Sequence, residues 1–158
     1  MKLLPFPDIS VKSIYDLTPE LFLSRGIRLL LLDVDNTLSP YSVNTPTPKM
    51  KAWADKMKSS GIEPVLLSNN RGERPAVFAA ALGVDFRKKA MKPFTGAARR
   101  VLREKHVPAS ETAVVGDQIY TDILCAVRLG ATSVLVQPIS LKNPLLFLRY
   151  LLELPFRR

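Results

Sequence analysis

Cysteine and histidine are nearly absent from this chain of 158 residues, which has one of each, Cys125 and His106. A single cysteine excludes an internal disulfide and suits a reducing compartment. Without a His/Cys cluster the usual ligand set of a zinc site is missing too. Acidic residues are scarce, 14 against 23 basic ones, which leaves a net charge of +9. That excess favours anionic partners, whether phosphoesters, acidic lipid surfaces or nucleic acid, and does not choose among them. No apolar run approaches the roughly 18 residues that would span a bilayer. The first eight residues lack the long apolar stretch of a cleavable signal peptide. These absences set the expectation of a cytoplasmic protein, peripheral on the inner membrane face if it meets a membrane at all.

Hydrophobic residues make up 47% of the chain, enough to bury a core within one domain. Arg28 to Asp33 is an apolar run ending in acid and reads as a strand buried on both faces. Further strands are expected at Pro64–Ser68, Val84–Phe86, Thr112–Gly116 and Ser133–Val136. Helices are expected from Pro48 to about Ser60, from Pro75 to Leu82, from Phe94 to His106 and from Tyr120 to Leu129. Thr47 and Pro48 give the first of these an N-cap and a first turn. Gly61, Gly83 and Gly130 provide stops. Asn143-Pro144 opens a last helical segment. Strand–helix alternation implies an α/β fold: a doubly wound, Rossmann-like parallel sheet of five strands with helices on both faces. Cys125 reads as a small buried residue, His106 as a structural or surface residue, and Trp53 as half-buried packing or an interfacial anchor.

In such sheets ligands bind beyond the carboxyl ends of the strands. Polar residues cluster at those ends. Asp33 and Asp35 follow the first strand; one carboxylate can attack phosphorus while the other protonates the leaving alkoxide. Thr37 can hold their turn through side-chain to backbone bonding. Ser68 ends the second strand, with Asn69 behind it, and a hydroxyl or backbone N–H there can bind a phosphoryl oxygen. Lys92-Pro93 precedes a helix and can neutralise phosphate. Gly116-Asp117 ends the fourth strand, with Asp122 five residues on. If the first and fourth strands are neighbours, Asp117 joins Asp33 and Asp35, and carboxylates so close repel unless a cation sits among them. Mg2+ suits an oxygen-only set that also leaves places for water and phosphate.

The ordered set Asp33-x-Asp35-x-Thr37, Ser68, Lys92-Pro93 and Gly116-Asp117-x4-Asp122 resembles the four motifs of the haloacid dehalogenase (HAD) superfamily of phosphatases, over about two-thirds of the chain. The resemblance implies Asp33 as nucleophile, Asp35 as acid/base, and Ser68, Asn69 and Lys92 as substrate binders. It implies Mg2+ held by the Asp33 and Asp117 side chains and the Asp35 carbonyl, with Thr37 and Asp122 in support. Ser13-Ile14-x-Asp16-Leu17, Leu67-Ser68-Asn69-Asn70 and Val115-Gly116-Asp117-Gln118-x-x-Thr121-Asp122 are similar to the YqeG-type subfamily. That subfamily is related to the organellar phosphatidylglycerophosphate phosphatases, which implies dephosphorylation of phosphatidylglycerophosphate to phosphatidylglycerol.

The intervals between Asp33, Ser68 and Lys92 hold one helix each, so neither has room for the cap domain that many superfamily members insert there. A capless site over residues 27–137 is open to a large substrate, or to cover by a neighbouring subunit of a homo-oligomer. Residues 143–158 form an amphipathic tail in which Arg149 and Glu153 share a helical face. It either lies in an anionic membrane interface or packs on the sheet or a subunit contact. Two rival readings remain: a capless phosphatase for a soluble sugar phosphate or nucleic-acid terminus, and a non-catalytic nucleic-acid or ribosome-associated module. The intact Asp33/Asp35 pair argues against the second.

Overall fold

A computed structural model describes residues 2–157. Met1 and Arg158, the outermost residues of the terminal segments read above, lie outside them. Six parallel strands form one sheet: β1 (Ile9–Val11), β2 (Leu29–Leu32), β3 (Glu63–Leu67), β4 (Asp85–Arg87), β5 (Thr112–Gly116) and β6 (Thr132–Val136). Their order across the sheet is β1-β6-β5-β2-β3-β4. The expected count of five is corrected by β1, a three-residue edge strand paired with β6 more than 120 residues away. Its local signal is weak because only one edge pairs; Asp8, just ahead of it, is fastened by accepting bonds from the Ser133 backbone N–H (2.9 Å) and hydroxyl (2.8 Å).

The helices are α1 (Pro19–Leu23), α2 (Pro48–Ser59), α3 (Arg74–Leu82), α4 (Gly96–Lys105), α5 (Leu124–Leu129) and α6 (Pro144–Glu153). Thr47 caps α2 by accepting from the Met50 N–H at 3.2 Å, with Pro48 in the first turn, where a missing N–H costs nothing. Gly83 closes α3 at φ +67°, a left-handed conformation open to glycine without steric cost. His106 adopts the same conformation at the end of α4 and is exposed.

All four leucines of β2 are buried, and their alternation divides the core. Leu30 and Leu32 face α2 and α3, meeting Trp53, Met57 and Phe78. Leu29 and Leu31 face α4 and α5, meeting Val101, Cys125 and Leu129. Trp53 is therefore neither an interfacial anchor nor half-buried: its ring is in the core and its Nε1 donates to the Leu17 carbonyl at 2.9 Å.

β2 lies between β3 and β5. The chain leaves β2 toward one edge through β3 and β4, then crosses back to β5 on the other side. Between β2 and β5 the winding reverses, and loops diverging there leave a crevice at the carboxyl ends. The expected helix from Tyr120 begins instead as a π-helical turn, Ile119–Ile123, before α5. Such wider turns cluster at functional sites.

Candidate active site

Asp33 extends β2 by one ladder bond, its N–H donating to the Val115 carbonyl at 2.9 Å. Asp117 follows the last residue of β5. Because these strands are neighbours, the two carboxylates stand side by side. Thr37 Oγ1 lies 2.9 Å from Asp33 Oδ2 and 3.1 Å from Asp117 Oδ1. A hydroxyl has one proton, so it can satisfy one of these acceptors at a time.

Lys92 enters from the loop after β4. Its Nζ donates to Asp33 Oδ1 at 3.0 Å and to Asp122 Oδ1 at 2.7 Å. Asp122 Oδ2 accepts from the Gln118 N–H at 3.2 Å. Asp122 packs directly on Gly116, where any Cβ would overlap its carboxylate, so this glycine is required by close approach. Lys92 and Asp122 are 5% and 1% exposed, and a charge so deep needs its partner.

Burial raises the pKa of Asp33 above the ordinary carboxylate range, against the pull of Lys92. Burial, then the charges of Asp33 and Asp122, raises Asp117 well above it. Burial opposes the charge of Lys92, but Asp122 and Asp33 outweigh it and hold the ammonium form above its usual pKa. Carboxylate oxygens of Asp33, Asp117 and Asp122 all lie within 4.8 Å of one another. One lysine and one hydroxyl proton leave this cluster short of positive charge. An oxygen-only donor set of this kind fits a hard divalent cation, and of its three carboxylates Asp122 is engaged by both Lys92 and the Gln118 N–H.

Asp35 has different surroundings. Its Oδ2 accepts from Asn70 Nδ2 at 3.1 Å. Its Oδ1 is 2.6 Å from Arg74 Nε in a contact too poorly aligned to be a hydrogen bond, so the attraction is ionic. Arg74 also donates to the Pro40 carbonyl at 2.8 Å, tying the turn after Asp35 to the start of α3.

Asp33, Asp35, Asn69 and Lys92 wall one cavity of about 60 Å3, together with Tyr41 and Asn70. Asn69 holds the Lys92 backbone from both sides, accepting from its N–H at 2.7 Å and donating to its carbonyl at 3.0 Å. Ser68 is 1% exposed, accepts from the Asn70 N–H at 3.1 Å and is not on the cavity wall. Asp117 and Asp122 are buried and do not line the cavity.

Tyr41, Asn70 and Arg74 are additions that sequence reasoning did not assign. Asn70 stands within a quoted motif and was legible. Arg74 carries no local signal, because what distinguishes it is a partner 39 positions away. The phenol of Tyr41 is pushed up to about 12 by burial, then by Asp117, Asp35 and Asp33.

The tail completes the surroundings. Glu153 is buried and accepts from the Ile119 N–H at 3.0 Å, capping the π-helical turn. Arg157 pairs with Glu153 at 2.6 Å. The packing alternative for this segment is thus realised through polar groups, while Leu145, Leu148 and Leu152 stay exposed on the other face. Among the described residues no helix is long and apolar enough to cross a membrane.

The profile of the family described as mitochondrial PGP phosphatase matches residues 2–139. The chain is 36% identical over 134 residues to the probable phosphatase YqeG of Bacillus subtilis, covering 85% of this chain and 78% of that one. It is 28% identical over 144 residues to phosphatidylglycerophosphate phosphatase 1, chloroplastic/mitochondrial, of Arabidopsis thaliana, covering 85% of this chain but 41% of the plant protein. Among solved structures, 3-deoxy-D-manno-octulosonate 8-phosphate phosphatase from Moraxella catarrhalis, in complex with magnesium, phosphate and a sugar, has a TM-score of 0.53 at 19% identity over 63% of each chain, a likeness of fold. The chain belongs to the PGP phosphatase family and is a capless phosphatase of the HAD superfamily.

Proposed function

We propose that this chain is a Mg2+-dependent phosphomonoesterase that removes the terminal phosphate of phosphatidylglycerophosphate at an anionic lipid surface. The observation that carries the reading is the seat of Asp33: the end of a central strand, one oxygen on Lys92, the other beside Thr37 and Asp117. Bound Mg2+, held by Asp33, Asp117 and the Asp35 carbonyl, would supply positive charge against the phosphoryl oxygens.

The chain's own residues divide the remaining work. Asp33 attacks phosphorus: a carboxylate O–P bond forms, the ester P–O bond breaks, and an aspartyl-phosphate results. Asp35 gives a proton to the departing alkoxide, then takes one from the water that hydrolyses the acyl phosphate. Arg74 and Asn70 hold Asp35 apart from Asp33, so the two acids have separate tasks. Lys92 neutralises phosphoryl charge, and Asp122 and Asn69 keep it in place. Ser68 contributes through the backbone turn it stabilises at Asn70. The names of the relatives support the lipid substrate, and the open mouth and the exposed leucines of α6 support access from a membrane surface.

Turnover of phosphatidylglycerophosphate in anionic vesicles is to be compared with turnover of a soluble sugar phosphate and of a 3′-phosphorylated DNA end, each with Mg2+ and with chelator. The lipid should be preferred in kcat/KM and all turnover should need the metal. Preference for either soluble substrate would overturn the lipid assignment; full turnover in chelator would overturn the metal.

A further inference from the structure

The cavity beside Asp33 and Asp35 encloses about 60 Å3. By this measure one water needs about 10–15 Å3, so the cavity takes a few water-sized groups, the size of a phosphoryl group and little more. Whatever carries the phosphate must lie outside. Tyr41 is the wall through which the site continues, because it also lines a neighbouring groove of about 410 Å3. One side of that groove is Tyr41 and Ser42; the other is Ser140, Lys142, Asn143 and Leu146.

The two sides are joined at their base. Asn36 Nδ2 donates to the Ser140 carbonyl at 2.7 Å, and the Ser140 N–H donates back to Asn36 Oδ1 at 2.8 Å. Arg74 holds the Pro40 carbonyl. The groove is therefore a built feature. Leu146 separates it from a narrow cleft where Arg149 stands next to Asp117. The cationic ends of Lys142 and Arg149 enter no hydrogen bond or ion pair among the described residues; Lys142 bonds through its backbone N–H alone. The Asp33 site already has Lys92 for the phosphoryl group. Arg149 is already opposed by Asp117 and Glu153 in its own cleft, so Lys142 is the groove's unopposed cation, and it serves no purpose for the phosphoryl group. It suits a second anion attached to that group.

We propose that this groove receives the leaving group, and that Lys142 selects one bearing its own negative charge, such as a phosphodiester. Tyr41 and Leu146 cover its carbon skeleton, and the Ser42 and Ser140 hydroxyls are within the groove for its polar atoms. The inference rests on the phosphomonoesterase reading of the Asp33 site.

The test compares a water-soluble, short-chain phosphatidylglycerophosphate with glycerol 3-phosphate, which has a similar primary alkoxide leaving group without the second anion. Lys142→Glu should lower the kcat/KM preference for the first substrate at least tenfold, mainly through KM. In the unaltered protein that preference should fall as salt is added. Ser42→Trp, which fills the groove, should cost the larger substrate more than the smaller. Melting curves establish that each variant is folded. An unchanged preference in folded Lys142→Glu would overturn the assignment. If the unaltered protein hydrolyses neither ester, the phosphomonoesterase reading fails. Calorimetry with glycerophosphoglycerol, a phosphodiester without the terminal phosphate, then decides the groove separately. Binding that is lost in Lys142→Glu supports it, and no binding to the unaltered protein removes it.

Discussion

Arg157 Nη1 donates to the main-chain carbonyl of Asp117 at 2.8 Å. The tail is thereby fastened to the loop that presents a candidate metal ligand. The same guanidinium pairs with Glu153 and stacks over the Tyr150 ring at 4.6 Å.

Breaking this latch should weaken the fold. Glu153→Gln keeps an acceptor for the Ile119 N–H but leaves the Arg157 charge buried beside a neutral amide. Removing one partner of a buried pair costs about 3–5 kcal/mol. In a domain of this size that lowers the melting temperature by on the order of 10 °C. A variant that melts with the unaltered protein would show the pair to be energetically idle.

Asp33→Asn should abolish turnover, since an amide is a poor nucleophile and cannot form the acyl phosphate. Asp35→Asn should retain some formation of the phosphorylated enzyme while hydrolysing it slowly. Rapid-quench labelling with a 32P-phosphoester separates the two: label is expected on the second variant and none on the first. Label at full stoichiometry in Asp33→Asn would place the nucleophile elsewhere.

Metal and pH should be linked with a definite sign. Asp33 and Asp117 have folded pKa values raised chiefly by burial. A raised acid keeps its proton in the folded chain after the unfolded chain has released it. Metal-free stability therefore falls as pH climbs from about 4 through the folded values, then levels off. A divalent cation favours the ionised carboxylates, so the gain in melting temperature on adding Mg2+ should grow with pH over the same window. Thermal unfolding from about pH 5 to 8, with Mg2+ and with chelator, measures this. Ca2+ should bind yet inhibit, because its looser, higher coordination misplaces the nucleophile. A Mg2+ gain that shrinks with rising pH would contradict the assignment.

The exposed face of α6 should matter at lipid surfaces. Leu148→Ser and Leu152→Ser together remove apolar area from positions 55% and 61% exposed, while the Glu153 side of the helix is left in place. Sedimentation with anionic vesicles should show weaker binding, and vesicle-borne substrate should lose more turnover than a soluble phosphoester. Parallel losses on both substrates with a lowered melting temperature would mean that this face serves folding.

The reaction class was legible in the order of short motifs because each sits at the carboxyl end of a strand, and a strand that ends in acid is a local pattern. Alternating strands and helices likewise gave the parallel sheet, and helix starts such as Thr47-Pro48 and stops such as Gly83 are properties of neighbouring residues. The edge strand β1 was not legible, since one alternation over three residues, Ile9 and Val11 in and Ser10 out, is too short to read and its pairing partner lies far along the chain. Nor was the ion pair between Arg74 and Asp35, or the turning of the polar face of α6 inward. An amphipathic segment read alone is expected to bury its leucines; here Glu153 and Arg157 instead find a backbone N–H and carbonyl at the Asp117 loop, partners that sequence spacing does not show. Local chemistry determined which residues can react. Only the tertiary structure decided which of them meet, because burial, shared protons and ion pairs depend on distances between strands and helices that sequence spacing does not carry.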